Sequence, residues 1–395
     1  MISQITKFYL TNFLKHQTYF FPIIVLFYQA NHLTYSEIFL LYSVKSVVFA
    51  LLEIPSGIIA DFVGKNRTNI FARFMVIPAL LAFIAADSFW MFLLANLLMN
   101  IGDVFKSGTH KAIIFDYFKE HPEIKKSYSQ IIGETKVFSR VGEGIASLIG
   151  AFVASALGFR AVFVLSLIPA ILNFLNALSY EKIKEPYAKR GKIFSFEKHI
   201  LHLKESLKFL KEHPSLIFLM ANSSVIFFSW SVSTIILQPY LVKLGVSLEN
   251  FGIIYMVLLS VAALASKYSF LIGKAAGEIK TVNYFGWLMI IPFFVLGQKV
   301  GIGTFLACFV LINFIKSAYH PLAISEIAGK VDADKRATML SIAAMFGSAM
   351  YLVTLPLIGY ILDVSNINTV MIIASAALIL NQAAFNFSLW KFKSK

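Results

Sequence analysis

Twelve apolar segments dominate this chain, each near the length a helix needs to cross the hydrocarbon core of a bilayer. They run at about 6–30, 36–60, 69–86, 89–118, 129–156, 159–180, 214–242, 247–272, 282–298, 301–328, 336–362 and 367–390. A span takes about 20 residues, so twelve take about 240, and a chain of 395 residues has room for loops besides. Composition agrees: 58% of the residues are hydrophobic and 14% are charged, against roughly 25% charged in soluble domains. A water-soluble globule and a disordered chain are both ruled out. The expected fold class is an all-α integral membrane protein with twelve transmembrane helices. The first segment is too long for a cleavable signal and carries Lys15 and His16. Cys308 is the single cysteine, which leaves no internal disulfide and no cysteine-based metal cage.

The net charge of +14 invites a nucleic-acid reading until the positions of the charges are examined. Taking the N-terminus as inside, the inner side, with Lys7 and Arg336 at the inner ends of their segments and the central loop included, holds 23 Lys and Arg, and the outer side holds 3. That bias places the chain in the cytoplasmic membrane with both termini in the cytoplasm. It also accounts for the basic balance, so no nucleic-acid partner is expected.

The longest connection, 181–213, divides the chain into 1–180 and 214–395, six segments each. Within it Phe196, Ile200, Leu203, Leu207 and Leu210 recur at helical spacing between Lys and Glu. Ser195 can cap this pattern and Pro214 ends it. An amphipathic helix lying on the cytoplasmic face is expected. The halves also repeat. A shift of 210 lays Asp103, Lys106, Ser107, His110 and Asp116 over Asn313, Lys316, Ser317, His320 and Glu326. A shift of 213 lays Tyr42, Gly64, Arg67 and Thr68 over Tyr255, Gly277, Lys280 and Thr281. Parallel six-helix repeats about an axis along the membrane normal are a transporter architecture.

The turn after the second segment reads Gly57-Ile-Ile-Ala-Asp61-Phe-Val-Gly64-Lys65-Asn-Arg67. It resembles the loop signature of the major facilitator superfamily, Gly-x-x-x-Asp-basic-x-Gly-basic-x-basic, and departs from it at Phe62. The second copy carries Lys274 where the aspartate would stand. Glu53-Ile-Pro-Ser-Gly57, with Ser107-Gly108 and Phe115-Asp116, looks like a prokaryotic branch of that superfamily. The resemblance covers the whole chain and implies two pseudo-symmetric six-helix bundles, with the first, fourth, seventh and tenth spans lining a central cavity. Glycine at 57 and 64 permits close helix approach and a tight turn. By the same resemblance Asp61 latches the N-terminus of the eleventh helix, near Arg336, in the outward-open state. Gly57, Asp61, Gly64, Lys65, Arg67, Asp116, Glu326 and Arg336 are thus the gating candidates.

Ionisable residues inside spans are costly and point to function. Asp103, Lys106 and His110 are spaced i, i+3, i+7 and fall on one stripe of the fourth span. Asn313, Lys316 and His320 repeat the pattern in the tenth. With Lys15 and His16 of the first span they are the substrate-binding candidates, and on the implied architecture the lysines and histidines face one another. Asp103 can pair with Lys106 on its own helix. Lys316 has no acid at i±3 or i±4, so an anionic substrate would supply the missing charge. In the fifth span Lys136, Arg140 and Glu143 share a stripe. Glu53, Asp103, Arg140 and Glu143 are proton-coupling candidates, with a structural network the stronger reading. The run Gly142, Ala146, Gly150, Ala154 provides for close packing. Asn222-Ser-Ser matches a glycosylation sequon but lies within a span.

No His-Glu-x-x-His, phosphate-loop or Gly-x-Ser-x-Gly motif occurs. No enzyme activity, metal or cofactor is expected, and transport would draw on a gradient. The leading expectation is a monomeric secondary transporter of a small organic anion, with proton coupling open. Efflux of amphipathic drugs is the alternative, weakened because the fifth span lacks the Gly-Pro element of drug–proton antiporters. A membrane scaffold or integral-membrane enzyme is the alternative of another class.

Overall fold

The computed structural model describes residues 3–181, 209–331 and 336–391. Among them are fourteen α-helices and one short 3-10 turn, and no strands. The helices are α1 (Gln4–Leu14), α2 (Ile24–Ala30), α3 (Tyr35–Val63), α4 (Lys65–Phe74), α5 (Val76–Ala85), α6 (Phe89–Glu120) and α7 (Tyr128–Leu157). They continue with α8 (Phe159–Leu178), α9 (Pro214–Lys243), α10 (Phe251–Ala276), α11 (Glu278–Leu296), α12 (Ile302–Gly329), α13 (Arg336–Val364) and α14 (Ile367–Lys391). Eleven stretches among the described residues are helical, long and apolar enough to cross a membrane. The chain is an all-α, multi-pass membrane protein. The amphipathic helix expected from Ser195 lies outside the described residues.

The first apolar segment is not one helix. It breaks after Leu14 and resumes at Ile24. Pro22 cannot donate a backbone hydrogen bond and disfavours helix in the residue before it. Polar Lys15, His16 and Gln17 occupy the start of the break, where His16 and Gln17 close tight turns onto Phe13 and Leu14. The break therefore sets Lys15 and His16 at the end of α1 rather than midway along a continuous span.

The chain forms two compact units. The first comprises residues 1–33, 41–194 and 246–256, and the second 34–40, 195–245 and 257–395. Thus each unit is one half of the sequence apart from two short exchanged segments. In the second unit the first turn of α3 is capped by Asp363, which accepts from the backbone N–H of Tyr35 at 2.8 Å and of Ser36 at 2.9 Å. A carboxylate at a helix N-terminus satisfies otherwise orphaned donors.

Within the first unit α1 packs on α7 and α8, and α6 packs on α4 and α5. In the second, α9 packs on α12, α13 and α14. Gly64 and Gly277, matched in the repeat, have φ of 106° and 86° and turn the chain into α4 and α11. A side chain at either would be strained.

The small-residue run of α7 lies against the first apolar segment. A Cβ on Gly150 would stand 1.9 Å from Tyr19 O, and one on Gly142 would stand 2.8 Å from Phe13 O. At Gly57 a Cβ would meet nothing within 4 Å among the described residues. Accordingly Gly150→Ala is expected to destabilise the protein by about 1–3 kcal/mol through overpacking against backbone. Gly57→Ala should stay within about 1 kcal/mol of wild type, since alanine favours helix. Thermal unfolding in detergent compares the two, and equal melting temperatures would contradict the packing described.

Candidate functional site

In the first unit, the candidate residues converge from α1, α4, α6 and α7. Gly102 lets α6 approach Ala72 O of α4, where a Cβ would be only 2.9 Å away. Asp103, the next residue, accepts a hydrogen bond from Lys106 one turn along, and both are half-buried. Lys106, Lys45 and Arg73 all interact electrostatically with Asp103, and so does Lys15. A single carboxylate therefore faces four cations.

Glu143 of α7 is the other acid here. Its Oε1 accepts from His16 Nδ1 at 2.8 Å and its Oε2 from Arg140 Nη1 at 2.6 Å. Glu143 thus ties the fifth segment to the first. Tyr9 of α1 likewise donates to Glu134 of α7. Lys126, in the connection before α7, donates to Glu134 at 2.9 Å. Its bonds to Glu134 and, at 3.4 Å, to the Tyr9 hydroxyl hold the Lys126 ammonium above its ordinary pKa.

His110 does not share the surroundings of Asp103 and Lys106. It is 7% exposed, set against Phe8 of α1 in an edge-to-face contact with ring centres 5.9 Å apart. Asn12 bonds its Nε2 at 3.1 Å. The i, i+3, i+7 stripe is broad enough that its far end turns into the packing of α1 while Asp103 and Lys106 stay partly accessible. Lys45 and Lys267 lie over the rings of Phe49 and Tyr268, at 5.7 and 5.3 Å.

At the end of α3, Gly64 places Lys65 at the start of α4, where its ammonium meets Asp116 of α6 at 2.5 Å. Glu53, Gly57, Asp61 and Lys65 line a cavity of about 290 Å³ whose other wall is α6 near Ser107 and Gly108. Asp61 and Glu53 are exposed there and form no ion pair among the described residues. Arg67 is exposed.

The second unit arranges the repeated residues otherwise. The Lys316 ammonium sits 3.9 Å from the centre of the Trp230 ring and 5.3 Å from that of Phe227. Trp230 Nε1 donates to Asn313 Oδ1 at 3.2 Å, which fixes the indole beside α12. His320 is exposed and meets Phe227 edge-to-face at 4.6 Å. So α9 supplies an aromatic wall for the lysine, where a carboxylate serves Lys106. Glu326 pairs with Lys330 on its own helix at 2.8 Å, whereas its repeat counterpart Asp116 pairs across helices. Arg336 begins α13. Asn222, the sequon residue, is fully buried and donates to Tyr319 at 3.0 Å.

Residues 9–298 match the Major Facilitator Superfamily. The chain belongs to that superfamily. Solved structures of superfamily transporters share its fold. A nucleoside transporter, NupG, superposes with a TM-score of 0.79 at 13% identity, covering 98% of this chain and 99% of the other. A bacterial homologue of the human lysosomal transporter Spinster, inward-facing and occupied, gives 0.74 at 18% identity, covering 99% and 96%. A POT family transporter in complex with 5-aminolevulinic acid gives 0.72 at 12% identity, covering 97% and 95%. No curated protein matches the sequence. Identities this low speak to the fold alone. At the one position where the superfamily loop signature is broken, Phe62 is 88% exposed.

Proposed function

We propose that this superfamily member is a secondary transporter of a small organic anion in the cytoplasmic membrane, working by alternating access with both termini in the cytoplasm. The observation that carries the reading is Lys316: an ammonium held within a span by aromatic faces, flanked on α12 by Asn313 and His320. The faces of Trp230 and Phe227 position the ammonium on α12. Lys106 is its repeat counterpart, already shared with Asp103. A carboxylate substrate would take its charge from Lys316 and its remaining hydrogen bonds from Asn313 and His320. Asp61 is the gating carboxylate in this reading, with Lys65 and Asp116 holding the turn that carries it.

Uptake into proteoliposomes from a panel of anionic, neutral and cationic metabolites tests the proposal. Saturable flux confined to anions supports it. Flux of amphipathic cations would favour drug efflux instead, a reading to which Trp230 and Phe227 also lend themselves. Protons are the proposed coupling ion, and His320 is the better placed histidine, since it is exposed while His110 is enclosed. His320→Gln is therefore expected to flatten the pH dependence of uptake, and His110→Gln to leave its shape intact. A profile unchanged in His320→Gln would move coupling to Glu53, Asp103 or Glu143.

A further inference from the structure

The end of α3 remote from Asp61 is capped twice. Thr34 and Glu37 form a capping box of the helix's own: Glu37 Oε2 accepts from Thr34 N at 2.8 Å, and Thr34 Oγ1 accepts from Glu37 N at 3.2 Å. The N–H groups of Tyr35 and Ser36 are left over, and both go to the Asp363 carboxylate of α13, one to each oxygen. The Ser36 hydroxyl donates to the same carboxylate. A helix that carries its own box starts without help. The contribution of Asp363 therefore goes to holding α13 on α3 rather than to forming α3.

Gly359, one turn before Asp363, lets the two helices meet. A Cβ there would stand 2.7 Å from Tyr35 O, 2.8 Å from Ser36 Cα and 3.0 Å from Phe39 Cβ, and only glycine leaves that room. All of these residues belong to the second unit, while α3 belongs to the first from Leu41 onward. The spacing Gly359-x-x-x-Asp363 near the end of α13 repeats Gly57-x-x-x-Asp61 near the end of α3. Each of the two helices thus finishes in a Gly-x-x-x-Asp element, and that of α13 is seated on the N-terminus of α3.

We propose that Asp363 and Gly359 form a latch at this end of the molecule, the reciprocal of Asp61, and that it releases once in every transport cycle. The inference rests on the alternating-access reading. When one bundle rocks against the other, the first turn of α3 has to leave the second unit with the rest of its helix. Departure strands no donor in a dry core. Tyr35 and Ser36 are partly exposed and Asp363 is exposed, so water takes over their hydrogen bonds, and the Thr34–Glu37 box keeps the helix start intact. A contact of the size of a helix cap, about fivefold in an equilibrium, is strong enough to bias the population and weak enough to break. The two aspartates hold opposite ends of α3, so each favours the state that the other opposes.

The reporter is a cysteine at Phe39, which is fully buried against Gly359, in purified full-length protein with Cys308 replaced by alanine. Its rate of reaction with a water-soluble maleimide reads how often this end opens. Asp363→Ala should raise the rate about fivefold, Asp61→Ala should lower it, and the two together should return it toward the parent. A frayed α3 would not be mended by a substitution at its far end, so restoration in the double variant separates a latch from a mere cap. Amide exchange across residues 34–40 needs no reporter and gives the same ordering if Phe39→Cys does not fold. A parent rate in Asp363→Ala, or a double variant as fast as Asp363→Ala, overturns the latch. If Asp61→Ala still slows the reaction in that case, alternating access stands and the latch alone falls. Labelling blocked in parent and variants alike would overturn both.

Discussion

Lys316→Gln protein is expected to fold, reach the membrane and lose about a hundredfold or more in apparent affinity for its anion. Removing one partner of a buried charge interaction costs about 2–5 kcal/mol, and about 1.4 kcal/mol is a factor of ten. Lys106→Gln should cost less binding, because Asp103 already offsets part of that lysine's charge. It should cost more stability, because it strands Asp103 in the span. Lys316→Arg should bind poorly as well, since a planar guanidinium stacks and forks where an ammonium presents a point charge over Trp230. Binding to folded protein, measured by ligand-dependent thermal shift, separates these cases. Undiminished affinity in Lys316→Gln would remove Lys316 from the site.

Glu143→Gln should give the largest loss of stability among the acidic candidates, about 2–4 kcal/mol. One carboxylate there serves both His16 and Arg140, and removing it leaves two groups uncompensated beside Lys15. Glu53→Gln should change stability by less than about 0.5 kcal/mol, because Glu53 is exposed in the cavity and forms no ion pair among the described residues. If the Glu143 cluster is structural, folded Glu143→Gln protein keeps the pH profile of transport. A profile that flattens in step with that substitution would make Glu143 a coupling residue.

Much of the fold was legible because hydropathy and spacing are local properties. The spans, the turn at Gly64 and the pairing of Asp103 with Lys106 each depend on residues within a few turns of one another. The break between Leu14 and Ile24 was obscured because the flanking residues are as apolar as any span, although Pro22 is a visible signal for it. The surroundings of Lys316 were hidden for a different reason: Trp230 lies on another helix, and no spacing rule connects the two. His110 and His320 align in the repeat yet have unlike environments, because Asn12 and Phe8 of α1 enclose one while α9 offers the other the edge of Phe227. Arg73 gave no sign beyond being a charge within a span. Its burial comes with the close approach of α6 to α4 at Gly102.

Recognition of an anion by a span lysine is tested most directly by charge alone, with shape held nearly constant. The substrate identified in the flux panel is bound to wild-type protein and displaced by a carboxylic acid or by its methyl ester, the two differing by one methyl group and one negative charge. Anion recognition predicts that the acid competes and that the ester is weaker by about a hundredfold, the same factor as the loss in Lys316→Gln. Equal competition by acid and ester, or a transported substrate that is neutral or cationic, would contradict it.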